Sequence, residues 1–282
     1  MDKYERYGII PPDGLQSKPQ PIKVSRICLS KERTLPSIEI KNRFETKLKY
    51  AHFSKIRESL QQIAAVPPGS QIKVVDLACG PGNMALFCDH TPAMEWFGLE
   101  LWPNELRQAA DTDAYTGLVQ ANLVQRLPLK KHTADAIILN EILMYLENSP
   151  ELLAELFHVI KPSGMLYVYN PIYTVPTLLS RLKKIGRRIR RSDEAVAFDC
   201  EYDWKKSSRA SRINFYSFDS LVKEIQEAGF EILEITGFRI FRNRIRLMRE
   251  FENFQWYREI TKRFAHRNPR LASDILVIAR KP

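Results

Sequence analysis

Residues 74 to 83 read VVDLACGPGN. The apolar run from Ile72 to Leu77 predicts a short buried strand, with Asp76 near its end. Ala78, Gly80 and Gly82 then follow at every second position. Small residues there let the backbone come close to a ligand, and glycine permits the tight turn. A helix predicted from Met84 to Cys88 begins on this loop and would point its free N–H groups at whatever the loop holds. A dinucleotide loop of the form GxGxxG is also matched by residues 80 to 85, with Ala85 in the third glycine position. Asp76 separates the two readings. A carboxylate at the strand end suits a cationic amino-acid ligand better than a pyrophosphate.

Outward from this loop, strands and helices alternate. Before it, Phe44, Leu48, Ile56, Leu60 and Ile63 recur on one face of a helix predicted from about 42 to 64, closed by Pro67, Pro68 and Gly69. After it come strands at Trp96 to Leu99, Gly117 to Val119, Ala134 to Leu139 and Met165 to Tyr169, with helices around Glu105 to Ala110 and Pro150 to Ile160. KPSG, Lys161 to Gly164, is predicted as a turn. A helix near 218 to 228 is capped by Ser217 and stopped by Gly229, and strands follow at Phe230 to Ile235 and Asp274 to Ala279. Alternating units of this kind imply a parallel sheet with helices on both faces. Binding sites in such sheets lie beyond the C-terminal strand ends. Glu100 stands at one of these ends, 18 residues past Gly82, where a carboxylate can accept two hydrogen bonds from a ribose diol.

The segment DLACGPG resembles motif I of the class I S-adenosylmethionine-dependent methyltransferases, D/E-x-G/A-x-G-x-G, and is closest to their small-molecule group. The resemblance runs from about residue 42 to the C-terminus, apart from an insertion. It implies an α/β fold, a Rossmann-like seven-stranded mostly parallel sheet ordered 3-2-1-4-5-7-6, and S-adenosylmethionine as cofactor. Asp76, Ala78, Cys79, Gly80 and Gly82 would cradle the methionine end, and Glu100 would hold the ribose. Leu101 and Trp102 would flank the adenine. Asn122 stands where the family usually has Asp, and Leu123 would offer its backbone N–H to the ring. Asn140, just past the fourth strand, would lie beneath the methyl group. KPSG matches the family's KPGG turn.

The acceptor side is less legible. Methyl transfer from a sulfonium is an in-line displacement, and a general base is needed only for a protonated nucleophile. Glu141, Tyr145 and Tyr173 are the candidate catalytic residues; Tyr169 and Met144 also fall near strand ends, Met144 more as helix core. His158 and His132 fit no base motif.

The 282 residues, 44% of them hydrophobic, suit one domain, 42–282, with an irregular arm over 1–41 and an insertion over 171–216. The insertion contains RLKKIGRRIRR, with seven basic residues among 181–191. Leu178, Leu182, Ile185 and Ile189 form an apolar stripe there. A basic amphipathic helix over 178–191 suits an anionic membrane surface, or equally a lid with its charge in solvent. A second basic stretch, FRIFRNRIRLMRE, interleaves aromatics and arginines after the sixth strand, an alternation that suits single-stranded nucleic acid and equally a half-buried strand. The net charge of +10 suits an anionic partner, whether nucleic acid, phospholipid or phosphate, and solubility alone also accounts for it. Cys28, Cys79, Cys88 and Cys200 form no CxxC pair or metal spacing and are expected as reduced thiols in a cytoplasmic protein. No metal is implied. The N-terminal MDKYERYGIIPPDG has no apolar h-region. The leading expectation is methyl transfer to a small or lipid-like metabolite. An RNA or protein methyltransferase and a non-catalytic cofactor-binding protein are the alternatives, and a dehydrogenase fits least.

Overall fold

The computed structural model describes residues 51–65, 71–88, 93–146, 148–172, 216–240, 251 and 254–282. The N-terminal arm, Tyr173 and the stripe at 178–191 lie outside these residues, as do 42–50 of the first predicted helix. The elements are α1 (Ala51–Ala64), β1 (Ile72–Leu77), α2 (Asn83–Phe87), β2 (Met94–Glu100), α3 (Pro103–Asp111), β3 (Gly117–Gln120) and β4 (Ala134–Asn140). They continue with α4 (Ser149–Val159), β5 (Ile160–Pro171), α5 (Phe218–Glu227), β6 (Glu231–Arg239), α6 (Gln255–Arg267) and β7 (Asp274–Arg280).

The seven strands form one sheet, ordered β3-β2-β1-β4-β5-β7-β6. β1 to β5 pair in parallel, and β7 runs antiparallel between β5 and β6. Chain order reverses at β1: β2 and β3 build outward on one side and β4 on the other. A crevice therefore opens past the C-terminal ends of β1 and β4, the usual place for a ligand in an open α/β sheet.

Successive side chains point to opposite faces of the sheet, so each strand feeds two cores. Val74, Trp96, Ile138 and Tyr167 pack with Phe53, Ile56 and Leu60 of α1 and with Met84 and Phe87 of α2. Val75, Leu77, Leu139, Val168 and Val277 pack with Leu152, Leu153 and Leu156 of α4 and with Leu221 and Ile225 of α5. The Ser59 and Tyr167 hydroxyls, 2.8 Å apart, fix α1 over β5. Ser217 caps α5 by accepting from the Ser220 N–H at 3.0 Å, and the Ser220 hydroxyl accepts from the Ser217 N–H at 2.9 Å.

Three local expectations are corrected. KPSG is not a separate turn before the fifth strand, because β5 starts at Ile160 and runs through it. The Ser163 N–H donates to the Lys281 carbonyl at 3.0 Å and the Lys281 N–H to the Gly164 carbonyl at 2.9 Å, which keeps the segment in the sheet. The irregularity survives as a register shift between Ala134 and Ala136 and as a left-handed Ser163, φ +63°. Next, β6 runs past the predicted end at Ile235 to Arg239, so Phe238 and Arg239 are buried strand residues. The reason is pairing, since Gly237 lies opposite Ile275 and Arg239 opposite Asp274 of β7. Finally, α6 was not expected at all. Among the described residues, no helix is long and apolar enough to cross a membrane.

Candidate cofactor site

The loop after β1 has the backbone its composition predicts. Ala78, Gly80 and Gly82 all adopt left-handed φ, +54°, +53° and +83°. The two glycines serve different ends. A Cβ on Gly80 would meet nothing within 4 Å, so its missing side chain leaves open space at the mouth of the loop. A Cβ on Gly82 would stand 3.0 Å from the Tyr115 ring and 3.2 Å from the Ala109 Cα, so this glycine lets the loop pack against α3 and the segment before β3.

Asp76 is buried behind the loop, and the Tyr115 hydroxyl donates to its Oδ2 at 2.8 Å. Burial pushes its carboxyl up to about 7; the Tyr115 bond opposes this, and the charge of Glu100 adds to it. A nearby cation would reverse most of that shift. Cys79 donates its N–H to the Leu99 carbonyl at 3.1 Å. Burial pushes its thiol up, with Asp76 and Glu100 adding, so it is an unreactive wall and not a nucleophile.

Glu100 closes β2 and is also buried. Its Oε2 accepts from the Gly80 N–H at 2.9 Å, and its Oε1 from the N–H groups of Leu101 and Trp102 at 2.7 and 3.0 Å. A carboxylate offers about four acceptor positions. Glu100 therefore ties the glycine loop to the start of α3 and keeps one position for a diol. Leu101 and Trp102 are exposed, so Trp102 presents its ring to solvent and is not core. Asn122 is half-buried, and its Oδ1 accepts from the Val124 N–H at 3.1 Å in a local turn. Leu123 is buried in the core beside Leu127.

A cavity of about 160 Å³ opens at this edge, walled by Asp76, Ala78, Gly80, Met84, Phe53, Asn140 and Glu141 among others. Asn140 ends β4. Its Oδ1 lies 2.9 Å from Nε2 of His52, which is buried and stacks flat on Tyr169 with centroids 3.4 Å apart. Phe238 meets both rings edge-on, at 6.1 Å from His52 and 6.0 Å from Tyr169. Glu141 holds a left-handed φ of +55° and donates its N–H to the Tyr169 carbonyl at 2.8 Å. At the same edge, Arg239 Nε donates to Asp274 Oδ2 at 2.5 Å with both side chains buried. Burial works against the guanidinium charge, and Asp274, Tyr169 and Glu141 together outweigh it, so Arg239 stays charged.

Of the candidates for catalysis, Glu141 lines the cavity. Tyr145 is half-buried in the short 3-10 helix Leu143–Tyr145, away from the cavity lining, and Met144 beside it is core. Tyr169 is buried under His52 and does not present its ring face to the cavity. His158 and His132 are exposed on the surface, away from this edge. Sequence reasoning missed His52, Phe53 and Tyr115. His52 had a signal: it continues the four-residue stripe of Leu48, Ile56 and Leu60, so it faces the core. Tyr115 had none, because its partner is 39 residues away.

Comparison with known proteins places this geometry. The Methyltransferase domain family matches residues 75–168. Trans-aconitate 2-methyltransferase of Escherichia coli is 31% identical over 125 residues, which are 43% of this chain and 49% of that enzyme. The chain thus spans about half the length of the curated relatives it matches. Among solved structures, an S-adenosylmethionine-dependent methyltransferase from Mesorhizobium loti superposes with a TM-score of 0.53 at 17% identity, covering 84% of this chain and all of the other. The [4+2]-cyclase SpnF superposes with a TM-score of 0.50 at 17% identity, covering 79% and 81%. By its loop, its strand order and the family match, the segment from 75 to 168 is that of a class I S-adenosylmethionine-dependent methyltransferase domain.

Proposed function

We propose that the protein transfers a methyl group from S-adenosylmethionine to a small or lipid-like metabolite in the cytoplasm. The observation that carries the cofactor half is the left-handed loop at 78–82, which is open at Gly80, shares the cavity wall with Asp76 and is bonded through the Gly80 N–H to Glu100. Asp76 would meet the ammonium of the amino-acid end, and Gly80 would let the backbone approach it. Glu100 would accept from one ribose hydroxyl, and exposed Leu101 and Trp102 would flank the adenine. The cavity, at about 160 Å³, is smaller than the roughly 300 Å³ and upward of pockets for drug-sized ligands. It suits the amino-acid end, with the nucleoside lying across the rim.

When bound, the cofactor supplies a methyl group already activated by its sulfonium. The chain's task is then to align the acceptor and exclude water. Asn140, held by His52, and Glu141 face the cavity where the acceptor would enter. Glu141 is the carboxylate placed to take a proton from a hydroxyl or amine acceptor. Support for a small acceptor comes from Phe53 of α1, which closes one wall, and from the relatedness to an enzyme named for trans-aconitate.

The fold alone does not fix the chemistry, since a [4+2]-cyclase shares it. A cofactor-binding protein without methyl transfer is therefore the second reading, and an RNA or protein acceptor for the basic surface the third. The deciding experiment pairs S-adenosylhomocysteine titration by calorimetry with transfer of labelled methyl to carboxylic-acid, lipid-like, RNA and protein acceptors. Binding with label on a small acceptor is the expected result. Binding without any transfer would leave the second reading standing, and absence of binding would sink the assignment of the loop.

A further inference from the structure

Five of the large apolar side chains that remain in solvent come from one short stretch. Phe254, Trp256, Ile260, Phe264 and Leu271 are between 43% and 60% exposed. Trp256, Ile260 and Phe264 are four residues apart along α6 and so form one outward stripe. Arg263 and Arg267 are exposed on the same side of the helix. The inward face is small: Thr261 and Ala265 are buried, and Ala265 sits so close to β6 that a Cβ on Gly237 would fall 2.5 Å from its carbonyl oxygen. α6 thus seats itself on the edge strand of the sheet by small residues and turns its large apolar ones away from the core.

We propose that α6 is an interfacial helix that lays this stripe on an anionic lipid surface. Its charged residues are Arg258, Lys262, Arg263 and Arg267 against Glu259 alone. A helix with an apolar face, basic flanks and a tryptophan is built for the headgroup boundary. At 13 residues it would lie in the plane over about 20 Å. Charge decides among occupants. A second copy seated on the stripe would bring two net-positive helices together. The chain's own segment 181–191 is just as basic. A single-stranded nucleic acid would stack on Trp256 and Phe264, but Ile260 and Leu271 offer it nothing. Anionic lipid satisfies both the aliphatic and the basic residues. The docked helix would also bring the cavity close to the surface, because His266 of its last turn meets Phe238 at 5.3 Å and Phe238 meets Tyr169 and His52. That last step rests on the lipid-like acceptor reading; the docking itself does not.

The test is cosedimentation of the full chain with vesicles of phosphatidylcholine alone and of phosphatidylcholine mixed with phosphatidylglycerol, with S-adenosylhomocysteine binding measured on the same samples. The mixed vesicles should bind the chain and the neutral ones should not. Trp256→Ser with Ile260→Ser, and separately Arg263→Glu with Arg267→Glu, should each weaken binding by about tenfold or more. Both variants change exposed positions, so their melting and S-adenosylhomocysteine affinity should match the parent. Equal vesicle binding by parent and variants would overturn the proposal, as would no binding by the parent. So would concentration-dependent dimerisation, or retention of RNA, that Trp256→Ser with Ile260→Ser abolishes. A chain that binds vesicles but not S-adenosylhomocysteine would keep this proposal and sink the cofactor reading instead.

Discussion

The two halves of the cavity are built in different ways. The half proposed for the cofactor comes from near neighbours in sequence: Asp76, Ala78, Gly80 and Gly82 span seven residues, and Glu100 reaches back to Gly80 across one strand pair. The half proposed for the acceptor is backed by packing from distant pieces. His52 and Asn140 are 88 residues apart, and Tyr169, Phe238 and Arg239 join them from two further strands. Backbone conformation makes the first half, so single glycines control it. Side-chain packing makes the second, so it depends on how α1 and β6 are seated. If this contrast is right, substitutions in the first half should act on cofactor affinity, and those in the second on turnover.

The largest effect should come from Gly80→Val. A β-branched residue at φ +53° is strained, by about 1–2 kcal/mol, and its side chain would occupy the open face of the loop. S-adenosylhomocysteine binding should fall below detection in calorimetry while the melting temperature drops only a few degrees. Gly82→Ala should do the reverse. Its methyl would press on Tyr115 and α3, at a cost of about 1–3 kcal/mol in stability. If Gly80→Val binds normally, the loop does not hold the ligand.

Asp76 should give the cofactor half a pH dependence. Its carboxyl is raised to about 7, so at lower pH the folded apo protein holds a proton that the unfolded chain gives up near 3.8. Asp76 therefore makes the apo state less stable as pH rises from about 4 to 7, with no further loss above that. Pairing with the ligand's ammonium group needs the ionised form. Affinity for S-adenosylhomocysteine should then fall by up to about tenfold per unit below pH 7, with proton release on binding. Asp76→Asn should bind weakly at every pH without that slope. A parent affinity flat from pH 5 to 8 would break the link between Asp76 and the ligand charge.

The acceptor half should answer to His52. His52→Phe keeps a ring to stack on Tyr169 and removes the bond to Asn140. Turnover should fall by about tenfold, through a misplaced Asn140, with S-adenosylhomocysteine affinity changed less than twofold. A loss of affinity equal to the loss of turnover would erase the division between the halves.

How much of this was legible in the sequence follows from the same division. The loop announces itself because glycine and alanine in alternation are backbone information, readable one position at a time. The strand order came with it, through the resemblance that the loop carries. The acceptor half gave only fragments. Asn140 is visible as the end of β4, but nothing in ADAIILNE says that a histidine from α1 will reach it. Arg239 read as one arginine of an alternating stretch, with nothing to mark it as paired, because its partner Asp274 lies 35 positions on and only β6–β7 pairing joins them. α6 stayed hidden for a different reason. Its apolar residues do recur at helical spacing, but they face outward, and a stripe is expected to mark the buried side.

The smallest expected effect is the sharpest check on the acceptor half. Lys55 of α1 and Glu234 of β6 lie 2.9 Å apart on a half-exposed rim. Burial pushes the Glu234 carboxyl up, and the bonds from Lys55 and Thr236 with the charge of Lys55 outweigh it, leaving it below its ordinary 4.5. A depressed carboxyl contributes stability above its unfolded value and loses it as pH falls through the folded one, so here the contribution is complete at neutral pH and fades below about 4.5. Solvent screening limits it to about 0–1 kcal/mol. Phe53, Ile56 and Leu60, all buried, and the Ser59 bond to Tyr167 hold α1 far more firmly. Glu234→Gln should therefore lower the melting temperature by no more than a few degrees and leave turnover alone. If turnover falls as far as in His52→Phe, then the seat of α1 on β6 sets the acceptor wall, and the His52 contact with Asn140 only reports it.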